Sequence, residues 1–376
     1  MTIIQPPRSS SAAPIIQPRR SSSAAPIAIV SAAPGDALAP LAEACGEVAP
    51  VERWTPLALP GWLARAPGPL GRYAARRAGP GPRLPRAPHL LAADAALRAW
   101  ARARTDRRYR ADFVLRAAID AWAAGLVRRH RPRIVIAPSL AARRTFAAAR
   151  AAGAATVLVL DVPLLRALHR DLDRAARRWP ERAFLRRFRA PSWAIARQEA
   201  ERVMADLILV RGAYAHALCL ADGLPEARLA RLPRRPGPVL PAPGAPTGRV
   251  RLAGLAAARH GVDTALAAAR ALGLELVVRV GEGTEPAELA RLPGVATDDG
   301  PVDAIVCPAI CETYPELVRA SGVPVIASPM ASADGAGPDP FDPGAFAGAI
   351  RDQLAAGARP APPPPPPLAP RLAALL

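Results

Sequence analysis

The chain contains no lysine and no asparagine, so all 50 of its basic residues are arginine. Both missing residues have AT-rich codons, whereas the abundant Ala, Arg, Pro and Gly have GC-rich ones. Genomic base composition therefore accounts for much of the arginine. A formal net charge of +19 would otherwise point to nucleic acid. Here the charge is spread along the whole chain and no recognition motif accompanies it, so a nucleic-acid partner is not expected. Aromatic residues are scarce at 4%, which leaves Ala, Leu and Val to build the cores. The only cysteines, Cys45, Cys219, Cys307 and Cys311, make no disulfide framework, and Cys307-x3-Cys311 lacks the second pair of a zinc site. No apolar run approaches the ~20 residues of a membrane span. The N-terminal apolar stretches are broken by Pro, Arg and Ser, which excludes a signal peptide. The expectation is a cytoplasmic protein without a metal.

With 376 residues and 51% hydrophobic content, the chain can build two domains. Residues 3–14 and 15–26 are a tandem duplication differing only at Pro7 and Arg19, rich in Pro and Ser, so 1–26 is expected to be a disordered tail. Order is expected from Ile27-Ala28-Ile29-Val30 onward, a first strand followed by Pro34-Gly35-Asp36 and an Ala/Leu-rich helix. The Pro- and Arg-rich stretch 56–88 carries no clear pattern. Apolar residues recur at helical spacing over 111–130. Strands at 134–137, 156–160 and 207–210 then alternate with helices near 141–152, 164–189, 192–205 and 214–221. Such alternation implies a parallel sheet. The stretch 232–248, with six prolines, sustains neither helix nor central strand and reads as a linker. Beyond it the rhythm restarts, with strands at 249–253, 274–280 and 304–306 and helices at 262–272, 285–292 and 341–354. The expected domains are 27–231 and 249–357, followed by a Pro-rich tail, 358–376, whose last Leu-rich residues can dock back. Residues 1–26 and 358–370 are expected to be dispensable.

The most informative segment runs from Cys311 to Ser328. An acidic residue, Glu312, follows the apolar run Ala304-Ile305-Val306. A helix start comes next, then Gly322 and a second apolar run over 323–327. This is a strand, an acidic loop, a helix and a strand, with a carboxylate at the carboxyl end of the first strand, where open α/β sheets bind ligands. Thr313 and Glu316 have capping-box spacing, and Pro315 fits the first helical turn. The helix would offer free N–H groups beside Glu312. A hydroxyl-rich, phosphate-bearing ligand suits that corner.

Glu312 to Ser328 resembles the donor-site segment of family 4 retaining glycosyltransferases, which have the GT-B fold. Gly254-Leu255-Ala256-Ala257-Ala258-Arg259-His260-Gly261-Val262-Asp263 is similar to the strand-to-helix turn that holds the donor diphosphate in that family. Residues 198–210 and 218–233 resemble the end of its acceptor-side domain. The resemblance implies two Rossmann-like domains facing each other across a cleft. It implies a nucleotide-sugar as co-substrate, no cofactor and no metal. It places Glu312 as the catalytic acidic residue. It places Gly254, Arg259, His260, Thr313, Tyr314 and Glu316 around the donor, with Gly35 on the acceptor side. The family's turn carries an Arg and a Lys where this chain has Leu255 and His260, so the diphosphate site is degenerate. Glu316 reads equally as a helix cap, and Arg259 as a solvated helix-start residue.

Three other readings stay open. A binding or scaffolding protein could keep the fold without turnover, an epimerase could share it, and an arginine-driven polyanion binder would show steep salt dependence. The basic stretch 166–189, with Trp179, Phe184 and Phe188, fits either peripheral contact with an anionic membrane at its inner face or a solvated amphipathic helix.

Overall fold

The computed structural model describes residues 26–31, 38–59, 63, 65–75, 87–101, 105–182, 185, 189–233, 245–280, 292–311, 323–332, 334–356 and 367–376. The duplicated stretch up to residue 25, Gly35, the middle of the linker, residues 285–291 of the expected helix and the segment 312–322 lie outside the described residues.

The first domain holds β1 (Ile27–Val30), α1 (Ala39–Gly46), β2 (Val51–Trp54), α2 (Gly68–Ala75), α3 (Pro88–Ala101), α4 (Thr105–His130), β3 (Ile134–Pro138), α5 (Arg143–Ala151), β4 (Ala155–Val159), α6 (Leu165–Arg178), α7 (Ser192–Met204), β5 (Leu207–Val210), α8 (Ala213–Ala221) and β6 (Leu229–Arg231). Its six strands are all parallel, in the order β2-β1-β3-β4-β5-β6. The second domain holds β7 (Arg249–Leu255), α9 (Val262–Ala271), β8 (Glu275–Arg279), β9 (Val295–Ala296), β10 (Ala304–Cys307), β11 (Val325–Ala327) and α10 (Pro343–Ala356). Its five strands are also parallel, in the order β11-β10-β7-β8-β9. The two Rossmann-like domains expected from the alternating pattern are therefore present.

Parallel strands covered by helices on both faces must be apolar throughout. Ile27 to Val30 are all fully buried and divide between two cores. Ala28, Val30, Val135, Ala137, Leu158 and Ile208 face α4 and α5, through residues such as Ile119, Val127 and Phe146. Ile27, Ile29, Ile134, Ile136, Val157 and Leu209 face Leu41 and Cys45 of α1. In the second domain, Val250, Leu252, Leu276, Val306 and Ile326 pack against Val262 and Ala265 of α9 and Phe346 and Ile350 of α10.

The last Leu-rich residues of the tail dock back on the first domain. Residues 369–373 form a short helix, α11 (Ala369–Ala373), whose Leu372 joins Leu368 in the core beneath Ile27 and Ile29 of the first domain. Arg371 donates to the carbonyls of Leu229 and Ala227, and Arg133 donates to Leu376. The chain thus returns from the second domain to the first.

Among the described residues, no helix is long and apolar enough to cross a membrane. The apolar face of α6, with Leu165, Leu168, Leu172 and Ala175, is turned into the protein. The described part of 166–189 therefore presents no apolar face to a membrane.

Candidate functional site

Strand order fixes where a ligand can enter. In the second sheet β7 lies between β8, which follows it in sequence, and β10, which belongs to the other half of the sheet. The connections after β7 and β10 run to opposite sides along the sheet, the arrangement at whose carboxyl edge open α/β sheets bind ligands. The turn from Gly254 to Gly261 follows β7. Cys307 to Cys311, leading to Glu312, follows β10.

The turn is built by two glycines and a histidine. The pairing of β7 with β8 shifts register between Arg251 and Leu255, and Gly254 there has φ +97°. A Cβ on Gly254 would lie 2.7 Å from His260 Nδ1, so the ring occupies the space a side chain would need. The Leu255 amide donates to that same Nδ1 at 2.9 Å. Ala258 to His260 make one turn of 3-10 helix, and Gly261, at φ +77°, leads into α9. A Cβ on Gly261 would lie 1.7 Å from the Pro308 carbonyl oxygen. Only glycine lets this turn press on the chain leaving β10. Two further contacts hold that chain: the Ile310 amide donates to the Arg259 carbonyl at 3.2 Å, and Ser328 Oγ donates to the Ala309 carbonyl at 2.7 Å.

Of the residues expected at the donor site, the structure brings Gly254 and His260 into contact, with Arg259 beside them. Glu312, Thr313, Tyr314 and Glu316 lie outside the described residues, as does Gly35. Cys311, which precedes Glu312 in the chain, has its Sγ 3.9 Å from the Arg259 carbonyl.

Burial pushes the His260 imidazole down to about 4, and the Arg259 charge adds to this; the Leu255 carbonyl, 3.0 Å from Nδ1, offsets it only in part. The ring is neutral at neutral pH and supplies no charge to a phosphate. The turn's remaining N–H donors are those at the start of α9. The Ala265 amide makes the first bond of this helix, to the Gly261 carbonyl at 2.9 Å. The amides of Val262, Asp263 and Thr264 therefore have no acceptor inside the helix, and the positive end of its dipole adds to them.

A helix end in the first domain, that of α5 after β3, is occupied by the protein's own anions. Glu201 accepts from the amides of Leu140 (2.6 Å), Ala142 (2.9 Å) and Arg143 (3.1 Å). Asp120 accepts from Arg144 and Thr145, both at 2.8 Å. Arg197 bridges the two carboxylates, and all three residues are buried. Burial raises the Glu201 carboxyl to about 7 against the pull of these donors. Phosphate has no place at this helix end. Gln198, in the same segment, accepts from the Leu165 amide at 2.7 Å and so fixes the start of α6.

The domains meet over the turn. Ala258, Ile310 and Cys311 of the second domain pack with Phe113, Leu140, Leu165, Leu168 and Leu185 of the first in one buried cluster. Trp179 stacks on Phe341 with ring centroids 5.5 Å apart. Arg174 lies 4.3 Å over the same ring and pairs with Asp339 at 2.7 Å. Arg182 pairs with Asp263 in the first turn of α9.

No protein-family model matches the sequence, and no curated protein matches it. Solved structures do match in shape. Sucrose-phosphate synthase from Thermosynechococcus elongatus is 16% identical and superposes with a TM-score of 0.51 over 88% of this chain and 90% of that one. The fold is GT-B. The glycosyltransferase of kitacinnamycin is 16% identical, with a TM-score of 0.44 over 93% of this chain and 94% of that one. UDP-GlcNAc 2-epimerase from Methanocaldococcus jannaschii, solved with UDP-GlcNAc and UDP, is 8% identical, with a TM-score of 0.44 over 87% and 92%.

Within this GT-B frame, sequence reasoning missed three features. Arg182 carried no signal among 50 arginines. Asp263 stood at the end of the quoted turn without a role. The third is a hollow of about 460 Å³ in the first domain, lined mainly by Leu97, Trp100, Val114, Pro191 and Trp193, with Arg110 among its lining residues. Trp193 meets Phe113 of the interdomain cluster edge to face, at 6.2 Å. Trp100 and Trp193 stay 50% and 44% exposed, which is unusual for so large a side chain and suits a binding surface.

Proposed function

We propose that the protein is a glycosyltransferase of the family 4 type that takes a nucleotide-sugar between the carboxyl ends of β7 and β10. The observation that carries this reading is the Gly254–Gly261 turn. It sets the free first-turn amides of α9 at the topological reversal of a parallel sheet, against the chain that leads to Glu312. In this reading the donor diphosphate rests on those amides with Arg259 beside it. Glu312 accepts from sugar hydroxyls, and Thr313, Tyr314 and Glu316 complete the nucleotide side. The bond from the anomeric carbon to the diphosphate oxygen breaks, with its electron pair on oxygen. A bond from that carbon to the acceptor oxygen replaces it, the acceptor's proton passes to the departing diphosphate oxygen, and the configuration is retained. Fixed N–H dipoles and an arginine stabilise the departing charge, so the reaction needs no metal. The acceptor approaches from the first domain on the Gly35 side. The tryptophan-lined hollow suits an acceptor with an apolar portion.

A second reading, a GT-B protein that binds a nucleotide-sugar without turning it over, is favoured by one observation: Leu255 is apolar and His260 is neutral. A thermal-shift panel of UDP-, GDP-, ADP- and dTDP-sugars tests both. One donor is expected to raise the melting temperature. Glu312→Ala is expected to weaken that donor about tenfold, the worth of one charge-assisted hydrogen bond, at unchanged stability without ligand. A donor that binds but is never transferred to any acceptor supports the second reading. Equal donor affinity in Glu312→Ala and parent removes Glu312 from the site.

A further inference from the structure

Arg182 belongs to the first domain yet ends at the first turn of α9. Only 6% of it is exposed. One terminal nitrogen, Nη2, donates to Asp263 Oδ1, while among the described residues Nε and Nη1 have no hydrogen-bond partner, nor does Asp263 Oδ2. Glu181 Oε1 lies 3.9 Å from Nε, too far for a hydrogen bond. Buried guanidinium N–H groups without acceptors are costly and mark a place where an acceptor is to be found. Asp263 is the second residue of α9 after Gly261, so these unused donors lie beside the helix end whose own amides are free. Ala258 of the turn and Leu185, three residues beyond Arg182, share one buried cluster, which holds the two elements together.

We propose that Arg182 is a ligand for the diphosphate of a nucleoside diphosphate or nucleotide-sugar, delivered across the domain interface to the N-terminus of α9. This rests on the reading of the turn as the donor site and adds the cation that Leu255 and His260 do not supply. Asp263 holds the guanidinium ready through a single contact, leaving its remaining donors for phosphate oxygens. Arginine suits this task because its planar fork can meet two oxygens of one phosphate. Binding then couples the domains, since the ligand touches α9 in one and Arg182 in the other.

The alternative is that Arg182 and Asp263 are only an interdomain latch. The sign of the effect at Asp263 separates the two. Asp263→Asn keeps a hydrogen-bond acceptor for Arg182 but removes a negative charge from beside the phosphate. Isothermal titration of the full chain with inorganic pyrophosphate and with UDP gives the readout. Arg182→Gln is expected to weaken both ligands by about tenfold or more, and Asp263→Asn to tighten pyrophosphate. If both variants lower the melting temperature and neither changes pyrophosphate affinity, or if both weaken it alike, the pair is a latch and the proposal is overturned. Should Arg182→Gln fail to fold, Arg182→Lys and Asp263→Asn decide it. Lysine is expected to bind pyrophosphate more weakly than the parent, because it keeps the charge and loses the fork; parent-like affinity in both variants overturns the proposal. A parent chain that binds UDP, with affinity unmoved in Arg182→Gln, overturns this inference alone. A parent that binds neither pyrophosphate nor any nucleoside diphosphate overturns the donor-site reading as well.

Discussion

Two glycines with nearly the same backbone do different work. Gly261 and Gly273 have φ +77° and +67°. A Cβ on Gly273 meets nothing within 4 Å, whereas one on Gly261 would sit 1.7 Å from the Pro308 carbonyl oxygen. Alanine at Gly273 is expected to cost only left-handed strain, about 1–2 kcal/mol. Alanine at Gly261 must also displace the chain leaving β10, and is expected to cost at least about 2 kcal/mol more. Urea denaturation of the two variants checks this; equal losses would mean that the approach to Pro308 is looser than described. That Gly254 and Gly261 bracket a strand-to-helix turn was legible through the family resemblance of that segment. The partner that fills the space at Gly254 was not. His260 reads from the sequence as a group facing the ligand, and the structure shows its Nδ1 engaged with the Leu255 backbone.

At the scale of elements, local sequence identified those with a strong period and missed those without one. β2 reads Val-Glu-Arg-Trp, a short edge strand with two charges, and β9 has two residues. Neither offers an apolar run. α4 begins at Thr105, six residues before its apolar spacing does, because its first turn and the residues after it, Arg107, Arg108 and Arg110, carry charge. The helix α5 has no capping side chain of its own at Ala142. Its cap comes from Asp120 on α4 and Glu201 on α7, which no local reading can see. Leu140 holds a left-handed φ of +70° just before it, with its amide on Glu201. Arg197 is the cation that makes two buried carboxylates tolerable there. Arg197→Met is expected to destabilise the protein by about 3–5 kcal/mol, since it leaves both anions buried and unpaired. Guanidinium unfolding measures the loss, and a loss below about 1 kcal/mol would show that the amides alone carry the charge.

At the scale of the molecule, the chain closes on itself. Removing 367–376 takes away Leu368 and Leu372, which are 5% and 0% exposed, together with the Arg371 contacts to the first domain. The truncated chain is expected to lose about 3–5 kcal/mol from the two leucines alone and to melt at a lower temperature. A truncation that leaves the melting temperature unchanged would return these residues to the status of a dispensable tail. The same closure sets Trp179 on Phe341 and Arg174 on Asp339, so the first domain covers the turn after β7.

The sequence by itself determined that this is a parallel α/β protein with two sheets. Fully apolar four- and five-residue runs such as Ile27–Val30 and Ile134–Pro138 can only be strands covered on both faces, and the helical spacing between them supplies the cover. It also placed a strand-to-helix turn after β7, bracketed by Gly254 and Gly261. Only the tertiary structure decided that β10 lies beside β7, that α11 completes the first core, and that Arg182 reaches α9. Periodicity reports which face of an element is apolar and says nothing of which distant element will cover it. Strand order and domain contact are settled by long-range packing, and a buried arginine in a chain with 50 of them is recognisable only by its neighbours.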